Sequence, residues 1–252
     1  MTWRLVIDTA TRRSVVAIGE GRRVVSADVL DTHNRHGARL MAQLTSVLAE
    51  AGIGMANVTA IGVGTGPGSF TGLRVGLATA KTLAAIRHLP LVGLPTDETL
   101  RRAAAVELGA TAWADAAVLL PAGARDHYLG RPGSDPVLVP PGTDLLSLVG
   151  GRPLVAVDVA ADAAWLVALR EAAASRGVPD PLHLGRVACE GLPAALLEML
   201  DVRLALGDHA DVATLVPRYV ALPRGITAVT ASAADSIDPA HAGEGTWSPG
   251  FR

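Results

Sequence analysis

One cysteine in 252 residues, Cys189, leaves no internal disulfide and no cysteine metal cluster. Aromatic residues are scarce too, 3% of the chain, and stand apart from one another, so no platform for stacking nucleic-acid bases is visible. Charged residues make up 18%, and 22 basic against 24 acidic side chains leave a net charge of −2. No polybasic run occurs, which excludes strong unaided nucleic-acid binding. The arginines come in doublets, Arg12-Arg13, Arg22-Arg23 and Arg101-Arg102, which read as solvated turns and helix faces. No apolar run is long enough to span a bilayer, and the chain opens directly into a strand pattern with no basic-then-apolar leader. The expectation is a soluble cytoplasmic protein with no membrane partner.

What the chain has in quantity is Ala, Val, Leu and Gly. Half of it is hydrophobic, enough for a sizeable core in one large domain or two smaller lobes. The stretch that organises it runs from Gly62 to Lys81. The apolar run Ala60 to Val63 reads as a buried strand, a turn with glycine at 64, 66, 68 and 72 and Pro67 follows, and then comes a long helical pattern. Strand, glycine turn and helix N-terminus aim backbone N–H groups at an anion. They also let a helix pack close to a sheet.

In chain order, Trp3–Ile7 is a strand ending at Asp8-Thr9, Ser14–Gly19 a second and Arg22–Leu30 a third. Asp31–Gly37 is polar loop. Leu40, Met41, Leu44, Val47, Leu48 and Ala51 recur at helical spacing, and Gly52 closes that helix. The glycine-turn helix runs to about His88, Leu91–Leu94 is a strand, and Thr96 is the expected N-cap of a helix with Asp97 and Glu98 in its first turn. The pattern then restarts. Ala116–Leu120, Asp126–Gly130 and Pro153–Val159 read as strands, and Arg131–Gly142 as a Pro- and Gly-rich loop. Ala160–Arg176 is helical, Pro181–Leu184 a short strand, and Leu192–Leu200 helical after Pro193. From about Arg224 periodicity fades, and a disordered tail is expected. The organisation is two α/β halves, 1–97 and 98–225, with a tail over 226–252. No sequence repeat relates the halves, so any pseudo-symmetry is structural.

The glycine turn lacks the lysine of a Walker A motif, misplaces the third glycine of a dinucleotide fingerprint, and does not flank Ser69 with the glycines of a hydrolase elbow. Between Leu73 and Leu89 the only charged or strongly polar positions are Arg74, Lys81, Arg87 and His88, so this helix is expected to be buried nearly all round. Gly76, Ala80 and Ala84, spaced by four, form a low ridge that another helix can approach. The expectation is a helical layer, built with the Ala38–Ala51 helix, that pairs with a partner's equivalent layer. His33 and His36 have no third ligand nearby and read as loop or cap residues. Asp8, at a strand end, is the best-placed carboxylate, with a structural hydrogen-bonding role equally in view. Cys189 reads as an inert thiol.

Taken together, Leu5-Val6-Ile7-Asp8-Thr9-Ala10-Thr11, then Gly64 to Gly76, then Pro217-Arg218-Tyr219, resemble the bacterial TsaB family, also called YeaZ. The likeness is dense from Leu5 to Pro95 and thin afterwards. It implies a two-lobed actin-like/Hsp70/sugar-kinase fold, each lobe a mixed sheet flanked by helices. It also implies a role as the non-catalytic partner of TsaD, with the ATPase TsaE, in making threonylcarbamoyladenosine beside the anticodon of tRNA. The pairing layer would carry Leu40, Met41, Leu44, Leu48, Arg74, Gly76, Leu77, Ala80, Lys81 and Ala84, for TsaD or for a second copy, with tRNA reached only through the complex. Asp8, Thr9, Gly66, Gly68 and Ser69 would form a remnant anion or nucleotide site, with no metal, no catalytic residue, no required cofactor and weak ADP or ATP binding. Two departures point the same way. Ala10 replaces the glycine or serine of relatives after the first strand. In Pro121 to Tyr128 only Asp126 and Tyr128 fit the family's second-lobe pattern. The alternative is an ATP-dependent small-molecule kinase or ATPase of the same superfamily, using Asp8 and the glycine turn on phosphates. A metallopeptidase lacks a ligand set.

Overall fold

The computed structural model describes residues 2–31, 36–123 and 125–220, with backbone alone at 36–38 and 110. The expected disordered tail, His33 and the His36 side chain lie outside the described residues, as does Ala124. The first half runs β1 (Trp3–Asp8), β2 (Arg13–Glu20), β3 (Arg23–Asp31), α1 (His36–Glu50), β4 (Val58–Gly66), α2 (Phe70–Arg87), β5 (Leu91–Pro95) and α3 (Thr96–Ala103). The second runs α4 (Ala105–Asp115), β6 (Ala117–Pro121), β7 (His127–Arg131), β8 (Ser134–Val139), α5 (Leu145–Val149), β9 (Leu154–Ala156), α6 (Ala164–Ser175) and α7 (Pro181–Ala205).

The two sheets share one plan. The first has strand order β3-β2-β1-β4-β5, the second β8-β7-β6-β9. In each, three strands form an antiparallel meander, and a strand reached through a helix then adds in parallel beside the first strand. The pseudo-repeat is structural.

Strand alternation divides the core into layers. Leu5 and Ile7 of β1 face α1 and α2, with Leu40, Leu44, Leu77 and Ala80. Val6 faces the other way, into a cluster shared with Val118 and Leu120 of β6, Leu100 of α3 and Leu184, Leu192, Leu196 and Leu200 of α7. Ala117 and Leu119 turn to the outer face of the second sheet, where Leu145 and Leu169 cover them. The long helix α7 is therefore an inner element between the two sheets. It packs so tightly on β9 that a Cβ on Gly185 would overlap the carbonyl of Ala156.

Four expectations are corrected. Pro181–Leu184 is the first turn of α7, not a strand: the Asp180 side chain accepts from the N–H groups of Leu182 and His183, and proline at the first helical position needs no N–H partner. Pro193 lies inside this helix rather than ahead of it. Ser134–Val139 is strand β8, not loop; it lies at a sheet edge with its register shifted near Pro136, where a missing N–H is tolerated. Thr96 is not an N-cap: Pro95 occupies that position, and the Thr96 hydroxyl is engaged elsewhere. No described helix is long and apolar enough to cross a membrane.

Because Leu196 is fully buried where α7 meets both sheets, Leu196→Ala is expected to cost about 2–5 kcal/mol, read as a lower urea midpoint with an unchanged m-value.

Candidate functional site

The glycine turn closes on the end of β1. A Cβ on Gly64 would overlap the Asp8 carboxylate, on Gly68 the carbonyl of Ala10, on Gly72 the carbonyl of Thr9, and on Gly76 the Thr9 hydroxyl. Each of these glycines makes room for residues 8–10. Gly66 has φ +94, a conformation that favours glycine, and its bond to Pro67 is cis.

The polar groups are spent on this contact. The Ser69 N–H donates to the Ala10 carbonyl at 2.7 Å, and the Thr9 hydroxyl donates to the Gly72 carbonyl at 2.7 Å. The Ser69 hydroxyl caps α2 by accepting from the Gly72 N–H at 3.1 Å. The Gly66 N–H donates to the Thr96 hydroxyl at 3.1 Å, which in turn donates to Asp8 Oδ2 at 2.9 Å. Asp8 Oδ1 accepts from the Ala10 N–H at 2.8 Å. The structure thus brings Asp8, Thr9, Gly66, Gly68 and Ser69 together, but Asp8 is only 1% exposed and the N–H groups of Gly66, Ser69 and Gly72 already have protein acceptors. Burial pushes the Asp8 carboxyl up to about 6, against the bonds from Ala10 and Thr96 that favour the charged form. Sequence reading missed Thr96 as the partner of Asp8, because the pair is joined only by the adjacency of β1, β4 and α3.

The helical layer separates into two faces. Gly76, Leu77, Ala80 and Ala84 of α2 are buried, as are Leu40, Leu44 and Leu48 of α1. The small-residue ridge therefore faces this chain's own sheet and Thr9, which corrects its reading as a surface open to another helix. Nor is α2 buried nearly all round. Ala78, Thr82, Ala85 and Ile86 lie exposed, Ile86 by 70%, alongside Met41 of α1 at 54%. Lys81 turns to this chain, donating to the carbonyls of Ala213 and Leu215 at 3.2 and 3.1 Å. Arg74 lies over the Phe70 ring at 4.6 Å, and Phe70 meets Tyr219 at 5.2 Å. The Pro217-Arg218-Tyr219 motif is thereby fixed beside the glycine turn. The Arg218 N–H donates to the Thr65 carbonyl at 2.8 Å, and its guanidinium reaches buried Asp97 at 3.2 Å. Burial raises the Asp97 carboxyl, with Arg218 and Arg101 opposing. Arg101 is itself buried and Arg102 bridges to Glu198, so this doublet is not a solvated helix face.

Residues 30–135 match the family TsaD: tRNA N6-adenosine threonylcarbamoyltransferase. The tRNA threonylcarbamoyladenosine biosynthesis protein TsaB of Escherichia coli (strain K12) is 35% identical over 107 residues, 42% of this chain and 46% of that protein. The uncharacterized protein Rv3421c of Mycobacterium tuberculosis is 32% identical over 189 residues, covering 71% of this chain and 82% of that one. A Pseudomonas aeruginosa crystal structure, described as similar to peptidase YEAZ, superposes with TM-score 0.63 at 21% identity, covering 88% of this chain and all of that one. The chain belongs to the TsaB (YeaZ) family. The Pseudomonas likeness shows the fold, actin-like/Hsp70/sugar-kinase, that the two sheets and their shared plan describe. The match to TsaB of E. coli spans less than half of that protein's length.

Two outcomes follow from the site. Because the folded Asp8 carboxyl titrates near 6 rather than 3.8, the folded molecule holds an extra proton between those values. Its contribution is present below about pH 4 and is lost as pH rises to about 6, by roughly 3 kcal/mol at 1.36 kcal/mol per pKa unit. Asp8→Asn, which mimics the neutral acid, should flatten that slope in urea midpoints taken at several pH values. Gly76→Leu should lower Tm and yield of the isolated chain by overpacking against Thr9, costing about 1–3 kcal/mol or more.

Proposed function

We propose that this chain is the non-catalytic partner subunit of a TsaD-like transferase in the biosynthesis of threonylcarbamoyladenosine in tRNA. Its membership of the TsaB family supports the process, as does its likeness to the E. coli threonylcarbamoyladenosine biosynthesis protein. The outer face of α1 and α2 carries the pairing reading. Ala42, Thr45 and Ala49 of α1 are exposed, as are Ala78, Thr82 and Ala85 of α2, with Met41 and Ile86 as larger apolar groups on the same two helices. Small side chains let a partner's helices approach closely, and exposed Met and Ile supply apolar area to bury. The inner face cannot serve, since it already covers the sheet.

A supporting role for Asp8 and the glycine turn fits a subunit without its own chemistry. A phosphate at the N–H groups of Gly66, Ser69 or Gly72 would have to displace hydrogen bonds already made within the chain, which weighs against the kinase or ATPase alternative. In this reading a TsaE-like ATPase joins the assembled pair, a second copy of this chain takes the same face when the transferase is absent, and tRNA is met by the complex. No cofactor is needed by this subunit, and its place is the cytoplasm.

Ala78→Arg sets a long charged side chain on the exposed face without touching the core. Co-elution with the TsaD-like subunit should fall by about tenfold or more in affinity, with Tm unchanged. Pairing as tight as in the parent chain, or full tRNA modification by the transferase alone, would overturn the proposal.

A further inference from the structure

A second concave site lies away from the glycine turn, where the start of β2 meets the segment after β9 and the first turns of α7. It is a cleft of about 400 Å³ lined by Arg12, Arg13, Asp158, Leu182, Arg186 and Cys189, with Ala156–Ala160 and Gly185 as floor. That volume is within the range of small-ligand sites. The β1–β2 turn supplies Arg12 and the start of β2 Arg13, the segment after β9 supplies Asp158, and the first turns of α7 supply Arg186, which is exposed.

Charge in the cleft is unequal: three guanidinium groups against one lining carboxylate. That carboxylate is already saturated by the turn. Asp158, only 3% exposed at its side chain, accepts from the Arg12 N–H at 2.8 Å through Oδ2 and from Arg13 Nη1 at 2.6 Å through Oδ1. It sits at φ 55, in the left-handed region, and holds the side chain of Arg13, the first residue of β2. Arg13 Nη1 also reaches the Cys189 sulfur at 3.4 Å. Burial pushes that thiol up to about 11, so it brings no negative charge. Nε and Nη2 of Arg13 have no protein acceptor among the described residues, which leaves donors oriented by Asp158 but unspent. Arg12 and Arg186 stand at the rim, where Asp31 lies 3.1 Å from Arg12 Nε and Glu190 lies 2.9 Å from Arg186 Nη1. Arg186 and Glu190 are more than half exposed and Arg12 about half, so an incoming anion can share those guanidiniums.

We propose that this cleft binds a small phosphate-bearing anion, its oxygens on Arg13 with Arg12 and Arg186 closing over it. A guanidinium fork held by a buried carboxylate matches phosphate geometry. The proposal rests on the cleft alone and stands or falls independently of the pairing face, which lies on α1 and α2.

The test is calorimetric titration of the full chain at low salt with inorganic phosphate, pyrophosphate and ADP. Saturable one-site binding is expected, weakened about tenfold or more by Arg13→Gln and measurably by Arg186→Gln, and untouched by Ser69→Ala in the glycine turn. Pyrophosphate and ADP binding equally would assign the site to phosphate alone; ADP binding more tightly would place the nucleoside along the Ala156–Ala160 wall; both support the site. No saturable binding of any of the three, binding that survives both arginine substitutions, or binding lost with Ser69→Ala would overturn it. Arg186 is exposed, so if Arg13→Gln fails to fold, Arg186→Gln decides. Pairing with the transferase, measured on the Arg186→Gln chain, keeps the two proposals distinguishable.

Discussion

The contact on which the structure depends is the one between the end of β1 and the start of α2. Main chain lies against main chain at Gly68 and Gly72, and against the side chains of Asp8 and Thr9 at Gly64 and Gly76. Gly64, Gly68, Gly72 and Gly76 each face an atom of Asp8, Thr9 or Ala10 that a Cβ would overlap. Such an approach buries backbone polar groups, and a buried group without a partner costs about 1–3 kcal/mol. The chain meets this by reciprocal pairing: Ser69 N–H to Ala10, Thr9 hydroxyl to Gly72, Gly66 N–H through Thr96 to Asp8. The same bonds that join the elements engage the N–H groups of Gly66, Ser69 and Gly72.

Around that contact the two halves are arranged by burial rather than by covalent pattern. Each sheet has an outer face covered by its own helices and an inner face turned to α3 and α7. This leaves α7 with apolar residues on several sides, which explains why its sequence carries little amphipathic signal. The second half also returns to the first: residues 210–219 run along the β5 edge, with Ala210 donating to the Leu91 carbonyl and Arg218 joining Thr65 and Asp97. That segment covers an edge that would otherwise leave unpaired groups.

Much of this was legible in the residues. Strong alternation and short β-branched runs located β1 to β5 and β6, and the spacing of Leu40, Leu44 and Leu48 located α1. The failures have physical causes. Pro136 made β8 read as loop, because propensity does not say that a strand will be an edge. Pro181 and Pro193 broke what is one helix, because the cap at Asp180 and the burial of the helix outweigh two prolines. Thr96 read as a cap from its neighbours in sequence, whereas its hydroxyl serves residues 88 positions away. The ridge at Gly76, Ala80 and Ala84 was recognised as a close-packing surface, but periodicity cannot say which neighbour it packs on.

The residues alone point to the fold class and to the family. Those depend on local periodicity and on a glycine pattern whose spacing is itself the constraint. Tertiary structure decides which face of α2 is open and whether the N–H groups of the turn are free. It also decides that Arg12 and Arg13, a doublet on a turn, meet a buried aspartate 145 positions from Arg13. Those properties belong to pairs of groups brought together across the chain. Burial and hydrogen-bond satisfaction are set by the neighbour, and the neighbour is known only once the sheets have formed and α7 has been placed between them.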